Sequence, residues 1–439
     1  MSSEIIGIYW FSNDLRVTDN ALLARAAQDV DKLICLCCRP SISRYLQHFS
    51  QQSNYGAARV HFENQCLSGL NDSLAELGQS LVIVEEQPLG VLSQLIEQFG
   101  VSALYCEQFV GFDERRVVKQ LQSNFSQLQV HQAPIRTLFA ENELPFEVES
   151  LPASFSKFRR LVETTPISPP CPSVLSLPPS PWLRHPSSSI PSSVVSTRDT
   201  FIGGEAFAMA HCMCYFSTSF PSHYKQTRNQ LDGFEASTKF SPWLAKGCIS
   251  PRQLVDLLRQ YEERNGANDS TYWIYFELLW REYFQWYALK YGKQLFALEG
   301  ITQLKPLTTF YAQRFKQWCQ GTTRFPIVNA CMRQLNQTGY MSNRGRQLAA
   351  SCLIYELGID WRYGAAYFET QLIDFDVASN WGNWQYIAGV GASNKERHFN
   401  LAKQTQYYDP HGDFIRQWKG DECCSATDSV NIDDWPFSA

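Results

Sequence analysis

Apolar runs long enough to cross a bilayer are missing from this chain. No stretch approaches the roughly 18 consecutive apolar residues of a membrane-spanning helix, so no membrane partner is expected. The first residues carry Glu4 and then only a short apolar run, so no secretory leader is expected either. Metal-ligand spacing is missing too. His211 beside Cys212 and Cys214 is the nearest approach, and without a second ligand cluster no metal is expected. An excess of positive charge is also absent: 38 Lys and Arg stand against 43 Asp and Glu. This excludes a protein coated in basic patches. Nucleic acid, if bound, must be held in one local groove by a few cations and be sensitive to salt. Finally, no GxGxxG follows the first apolar strand, so the dinucleotide fingerprint is not there.

Cysteine, aromatic residues and length are what the chain has in quantity. Its 14 Cys lie mostly inside apolar runs such as residues 35–38 (CLCC) and 212–214 (CMC), as small buried thiols of a reducing compartment do. A cytoplasmic monomer is expected. Aromatics make up 14%, and ten of the 12 Trp lie after residue 240 (243, 273, 280, 286, 318, 361, 381, 384, 418 and 435). A chain of 439 residues exceeds one ordinary core, so two chemically different domains are expected.

Residues 1–135 alternate strands with helices. Strands are expected at 5–11, 32–38, 81–86, 103–108 and 128–132, with helices over 21–28, 55–77, 90–99 and 112–122 and Asp19 or Asn20 capping the first. This pattern predicts an α/β domain with a five-stranded parallel, Rossmann-like sheet. Residues 136–199 read as a connection. Phe155, Phe158 and Leu161 sit at helical spacing, and residues 166–193 hold nine Pro and nine Ser, as in an extended surface linker wrapping between domains. Residues 200–420 carry helical periodicity almost throughout, with segments at 203–218, 250–264, 271–292, 323–340, 342–358 and 365–374. They predict a larger all-α domain, followed by a short acidic tail at 421–439.

Two stretches carry chemistry. In 374–391 (DFDVASNWGNWQYIAGVG), Asp376, Asn380 and Trp384 are spaced four apart and would share a helix face offering an acid, an amide and an indole to one planar partner. In the aromatic helix around 272–289, Glu277 and Arg281 are one turn apart and can pair, with Trp280 and Phe284 beside them.

The segments 240–252 (FSPWLAKGCISPR), 277–284 (ELLWREYF), 341–347 (MSNRGRQ), 358–362 (GIDWR) and 372–386 (LIDFDVASNWGNWQY) resemble the FAD-binding half of the photolyase/cryptochrome family. Residues 10–20 (WFSNDLRVTDN) resemble the start of its antenna domain. Residues 224–231 (YKQTRNQL), NRGRQ and GNWQY resemble the DASH-type cryptochromes in particular. The resemblance implies FAD, with Tyr224 and Ser237, Thr238, Lys239, Phe240 and Ser241 at the pyrophosphate. It places an Arg346–Asp374 salt bridge beside the isoalloxazine, Asp376 at the flavin or ribose edge, Asn343 in the pocket and Asn380 at N5. Glu277 and Arg281 also belong to that wall. Trp384 and Trp361 match the inner members of a Trp relay to photoexcited flavin. In 306–318 (PLTTFYAQRFKQW) a Thr stands near the outer member's position, and Tyr311 or Trp318 are the available substitutes.

For substrate, the resemblance implies a flipped pyrimidine dimer. Glu277 would hydrogen-bond it and Trp280 would stack on it, with Asn343, Arg344, Arg228 and Gln404 on the DNA. Gln347 and Tyr386 stand where duplex-acting photolyases carry Met and Trp, which favours single-stranded DNA. Glu114, with Asp113, matches a site for a methenyltetrahydrofolate antenna. Ser12 and Asn329 depart from the family's usual Arg and Asp. The function implied is a deoxyribodipyrimidine photolyase acting on single strands. The competing functions are a blue-light photoreceptor that binds DNA with little repair, and a helical flavin-dependent oxidoreductase, for which no nicotinamide motif is present.

Overall fold

The computed structural model describes residues 4–182, 200–393, 395 and 397–424. Trp435, the tail from 425 and the Pro/Ser-rich residues 183–193 lie outside them.

Five parallel strands form one sheet: β1 Ile6–Phe11, β2 Lys32–Cys38, β3 Leu81–Val84, β4 Ala103–Glu107 and β5 Gln129–Ala133, in the order β3-β2-β1-β4-β5. β1 is apolar at every position because both its faces are covered. Ile8 and Trp10 pack with the helices Pro88–Phe99 and Phe112–Asn124, while Tyr9 and Phe11 belong to the larger core shared with the helical region. In β2, Leu33, Cys35 and Cys37 face that larger core and Ile34 and Leu36 the other. The first helix, Ala21–Asp29, is capped by Asn20, whose Oδ1 accepts from the Leu23 amide. The helix Pro88–Phe99 ends on Gly100 at φ 63°, where a side chain would be strained.

The connection from residue 166 to 182 is not merely a surface strap. Ile167 and Leu177 are buried. The chain is pinned to the α/β layer by Leu177 N–H on Leu77 O and by Leu33 N–H on Pro179 O. Its Pro residues leave few N–H donors to satisfy, which lets it lie against other elements without a ladder of its own. The preceding helix, Phe155–Val162, buries Phe155, Phe158 and Val162, whereas Leu161 is half exposed.

From residue 200 to 424 the described chain is helical, with a single isolated bridge between Thr309 and Ile359. Helices not anticipated from periodicity are Arg44–Ser50, Tyr224–Thr227, Ser241–Lys246, Ala312–Gln320, Leu401–Tyr408 and Asp413–Gln417. Each is nine residues or fewer, too short for a 3.6-residue pattern to stand out. The helix expected to run to residue 358 is regular only over Asn343–Ser351 and continues as a wider π-type turn at Cys352–Glu356. The one expected at 365–374 spans Trp361–Gln371, which leaves Asp374 in the turn before the next helix. Asn329 uses both ends of its amide. Oδ1 accepts from the Thr323 amide and hydroxyl, and Nδ2 donates to the Thr323 and Gly420 carbonyls. An ionised Asp could not make the last two bonds.

Candidate functional site

The helix Asp269–Tyr291, the loop and short helices of residues 224–245, and the helices Asn343–Ser351 and Val377–Ala388 surround one cavity of about 650 Å³. A contiguous cavity of about 220 Å³ shares its wall at Ser241, Tyr340, Asn343, Arg346, Asp374 and Asp376. The pair has the size and mixed polarity of a cofactor site.

The face expected over Asp376, Asn380 and Trp384 exists, and all three line the smaller cavity. Asp376 stands just before the helix as its N-cap, accepting from the Ser379 amide at 2.7 Å. Its two oxygens are otherwise taken by Arg136 at 2.5 Å and Gln285 at 2.9 and 3.0 Å. Burial alone would raise this carboxyl's pKa, but Arg136 and then Arg281 hold it below the usual range. Asn380 donates Nδ2 to the Ala365 carbonyl at 3.0 Å, which fixes the amide's orientation.

Asp374 and Arg346 pair as expected, Nη2 to Oδ2 at 2.7 Å, and Ser241 Oγ donates to the same oxygen at 2.7 Å. The other oxygen, Asp374 Oδ1, is buried at the cavity wall with no protein partner, so it can accept from a ligand. Lys239 is buried at φ 55°, its ammonium 4.8 Å from the Tyr340 ring. Burial pushes it down to about 8 against the pull of Asp232 and Asp374, as expected of a cation that lacks a full anionic partner. Tyr224, Ser237, Thr238 and Phe240 line the same cavity. Asp374 Oδ1, Lys239 and these hydroxyls fit a ligand carrying both ribose hydroxyls and phosphates.

The expected Glu277–Arg281 pair is not made. Glu277 pairs with Arg228 instead, and Arg281 donates to the Arg136 and Leu244 carbonyls. Both stay on one helix face, but Arg281 is drawn toward Asp376, whose charge helps offset its burial. Trp280 lines the larger cavity and is already stacked on Phe155, centroids 3.8 Å apart at 14°. Asn343, Arg344, Gln347 and Tyr386 line the same wall. Arg344 reaches Asn229 at 3.3 Å and lies 4.8 Å over Tyr408. Gln404, on the helix Leu401–Tyr408, does not line this cavity.

Three site residues escaped the sequence reading. Arg397 lies 4.0 Å over Tyr386 and Arg136 reaches Asp376 from 240 positions away, and nothing local signals either. Trp273, under Arg228 at 4.2 Å, stands four residues before Glu277 and seven before Trp280, a spacing that could have found it.

Trp384 lies against Phe368 at 5.2 Å and Trp318 at 6.2 Å, while Trp361's ring contact is Trp381 at 5.8 Å. Trp318 is fully buried, so it cannot be a solvent-facing end of a relay. Tyr311 is 37% exposed, with Arg314 at 4.2 Å. Glu114, expected at a folate, lies in the first turn of the helix Phe112–Asn124. Its carboxylate folds back over Gly111, and the nearby cavity between β4 and the helix Asp269–Tyr291 is about 10 Å³ and does not include it. That is room for about one water. His211 stacks on Trp243, its Nε2 at the Thr238 carbonyl, and the described residues contain no cluster of three or more His, Cys, Asp or Glu that could hold a metal. No described helix is long and apolar enough to cross a membrane.

Comparison with known proteins identifies this architecture. Residues 273–421 match the family described as FAD binding domain of DNA photolyase, and residues 7–175 match the DNA photolyase family. A cryptochrome DASH of Vibrio parahaemolyticus is 52% identical over 435 residues, covering 99% of this chain and 97% of the relative. The chloroplastic/mitochondrial cryptochrome DASH of Arabidopsis thaliana is 37% identical, covering 94% of this chain and 75% of the relative. The crystal structure of a Synechocystis cryptochrome superposes with a TM-score of 0.85 at 38% identity, covering 95% of this chain and 89% of that one. By sequence, by fold and by its FAD-binding domain, this chain belongs to the photolyase/cryptochrome family and is a blue-light flavoprotein of the DASH cryptochrome type.

Proposed function

We propose that this flavoprotein is a photolyase for cyclobutane pyrimidine dimers in single-stranded DNA. The observation that carries the reading is the continuity of one cavity, from the Lys239, Arg346 and Asp374 end to the wall of Glu277, Trp280, Asn343 and Tyr386. FAD, when bound, supplies light absorption and one-electron chemistry. Lys239 and the hydroxyls of Ser237, Thr238 and Ser241 suit its pyrophosphate, and Asp374 Oδ1 accepts a ligand hydroxyl or N–H. Asp376, with both oxygens engaged by Arg136, Gln285 and Ser379, holds the helix carrying Asn380 and Trp384 against the cofactor cavity. Trp384 is the indole at that cavity's wall, suited to give up one electron.

On the substrate side, Arg228 and Arg344 present guanidiniums at the cavity, and each lies over a ring that pre-orders it for a phosphate. Glu277 and Asn343 offer hydrogen bonds to pyrimidine edges. Trp280, backed by Phe155, forms a rigid apolar wall that excludes water from the dimer. Extruding a base pair costs a few kcal/mol, less from a single strand. Gln347 and Tyr386 offer little bare stacking surface to offset that cost, since Arg397 covers one face of Tyr386. Single strands are therefore the substrate.

The test is to irradiate the reduced protein with dimer-containing oligonucleotides, single-stranded and duplex, and follow dimer loss. Repair of single strands alone is the expected result. No repair of either despite bound FAD overturns the proposal and leaves a photoreceptor.

A further inference from the structure

Glu277 has one counter-ion, and that counter-ion is itself a phosphate-binding side chain. Arg228, at the end of the short helix Tyr224–Thr227, donates Nη1 to Glu277 Oε1 and lays its guanidinium on Trp273. The other ionisable groups nearby leave Glu277 alone. Arg281, one turn along its own helix, is turned to the Arg136 and Leu244 carbonyls. Arg344, on the helix Asn343–Ser351, is held by Asn229 and Tyr408. Tyr224 is a buried phenol whose pKa rises through burial first and Glu277's charge second. Burial also raises the pKa of Glu277, and Arg228 alone opposes it. Both partners front the cavity read above as the strand's.

A guanidinium binds phosphate in the same forked geometry as carboxylate, so a strand phosphate competes directly for Arg228. Removing Arg228 would leave the Glu277 carboxylate, whose side chain is 31% exposed, without its counter-ion in a largely apolar wall, an unfavourable state that a proton relieves. We propose that strand binding transfers Arg228 from Glu277 to a backbone phosphate, and that Glu277 takes up a solvent proton in the same step. Glu277 then meets the pyrimidine as a neutral acid, donating its O–H to a base carbonyl that a carboxylate would repel. The charge balances: one cation exchanges one anion for another, one proton moves from solvent to Glu277, and no electron is involved. The inference rests on the cavity being a single-strand site.

The experiment is isothermal titration calorimetry of the full-length, flavin-loaded protein with a dimer-containing single-stranded oligothymidylate. It is run in the dark, near neutral pH, in two buffers of different ionisation enthalpy. The expected result is uptake of about one proton per strand, with affinity falling toward tenfold per pH unit as pH rises. The variant Glu277→Gln, checked for retained flavin, should bind with no proton uptake and no such slope. Binding with equal heats in both buffers, or uptake that survives in Glu277→Gln, overturns the exchange while leaving the single-strand reading intact. Absence of any strand binding overturns that reading, and the exchange with it.

Discussion

Gly364 and Trp384 occupy one space: a Cβ built on Gly364 would stand 2.1 Å from Cη2 of the indole. The helix Trp361–Gln371 is therefore notched at Gly364, and the ring at the wall of the cofactor cavity lies in the notch. Gly364→Ala should destabilise the protein by about 1–3 kcal/mol through overpacking. It should also slow light-driven reduction of bound flavin, because the indole must move to make room. Urea unfolding and flavin bleaching under blue light measure the two effects, and an unchanged bleaching rate would mean that Trp384's placement is not critical.

Trp384→Phe removes the indole while keeping an aromatic ring in the notch. Light-driven reduction of oxidised flavin should fall by at least an order of magnitude with flavin content unchanged. Full-rate bleaching in this variant would exclude Trp384 as the first electron donor. Trp318→Phe should slow reduction less, since Trp318 touches Trp384 but is itself sealed from solvent.

Asp374 takes donors from Arg346 and Ser241 through one oxygen and leaves the other to the cavity. Asp374→Ala strands the Arg346 guanidinium. Because that side chain is 25% exposed, the loss should fall at or below the lower end of the roughly 3–5 kcal/mol seen for broken buried pairs. FAD affinity should drop in parallel. A variant of wild-type stability that still retains FAD would show that the pair is dispensable.

Lys239 gives the cofactor site a pH dependence. In the free cavity its pKa is pushed down to about 8 by burial, and an anion beside it would raise that value. Above pH 8, binding a pyrophosphate therefore requires proton uptake, so FAD affinity should be flat below about pH 8 and fall by up to about tenfold per unit above it. The ligand-free protein should show the opposite trend in stability. Between about 8 and 10.5 the unfolded chain binds the proton that the folded one lacks, so this site favours folding more as pH rises. Lys239→Met should bind FAD more weakly and lose the slope. Fluorescence titration across that range reads both.

The five strands and the longer helices of the first 135 residues could be read without a structure because apolar runs alternate with helical periodicity, as in the wholly apolar β1 and the helix that stops at Gly100. The face of Asp376, Asn380 and Trp384 was legible for the same reason, four-residue spacing on one helix. Short helices such as Arg44–Ser50 were not, because seven residues hold too few turns to show a period. Spacing also misassigned the partner of Glu277. Arg281 is within reach on the helix, but so is Arg228 from another element, and a sequence cannot rank contacts made across space.

By itself the sequence determined the parallel sheet, the helical second half and the shared face of Asp376, Asn380 and Trp384, since all of these follow from local periodicity. Only the tertiary structure decided how those side chains pair. It brought Arg136 to Asp376 from 240 positions away, left Asp374 Oδ1 without a partner, and gave Glu277 to Arg228. The physical reason is that a buried charge is fixed by whichever opposite charge the packing delivers, and burial acts on elements far apart in the chain.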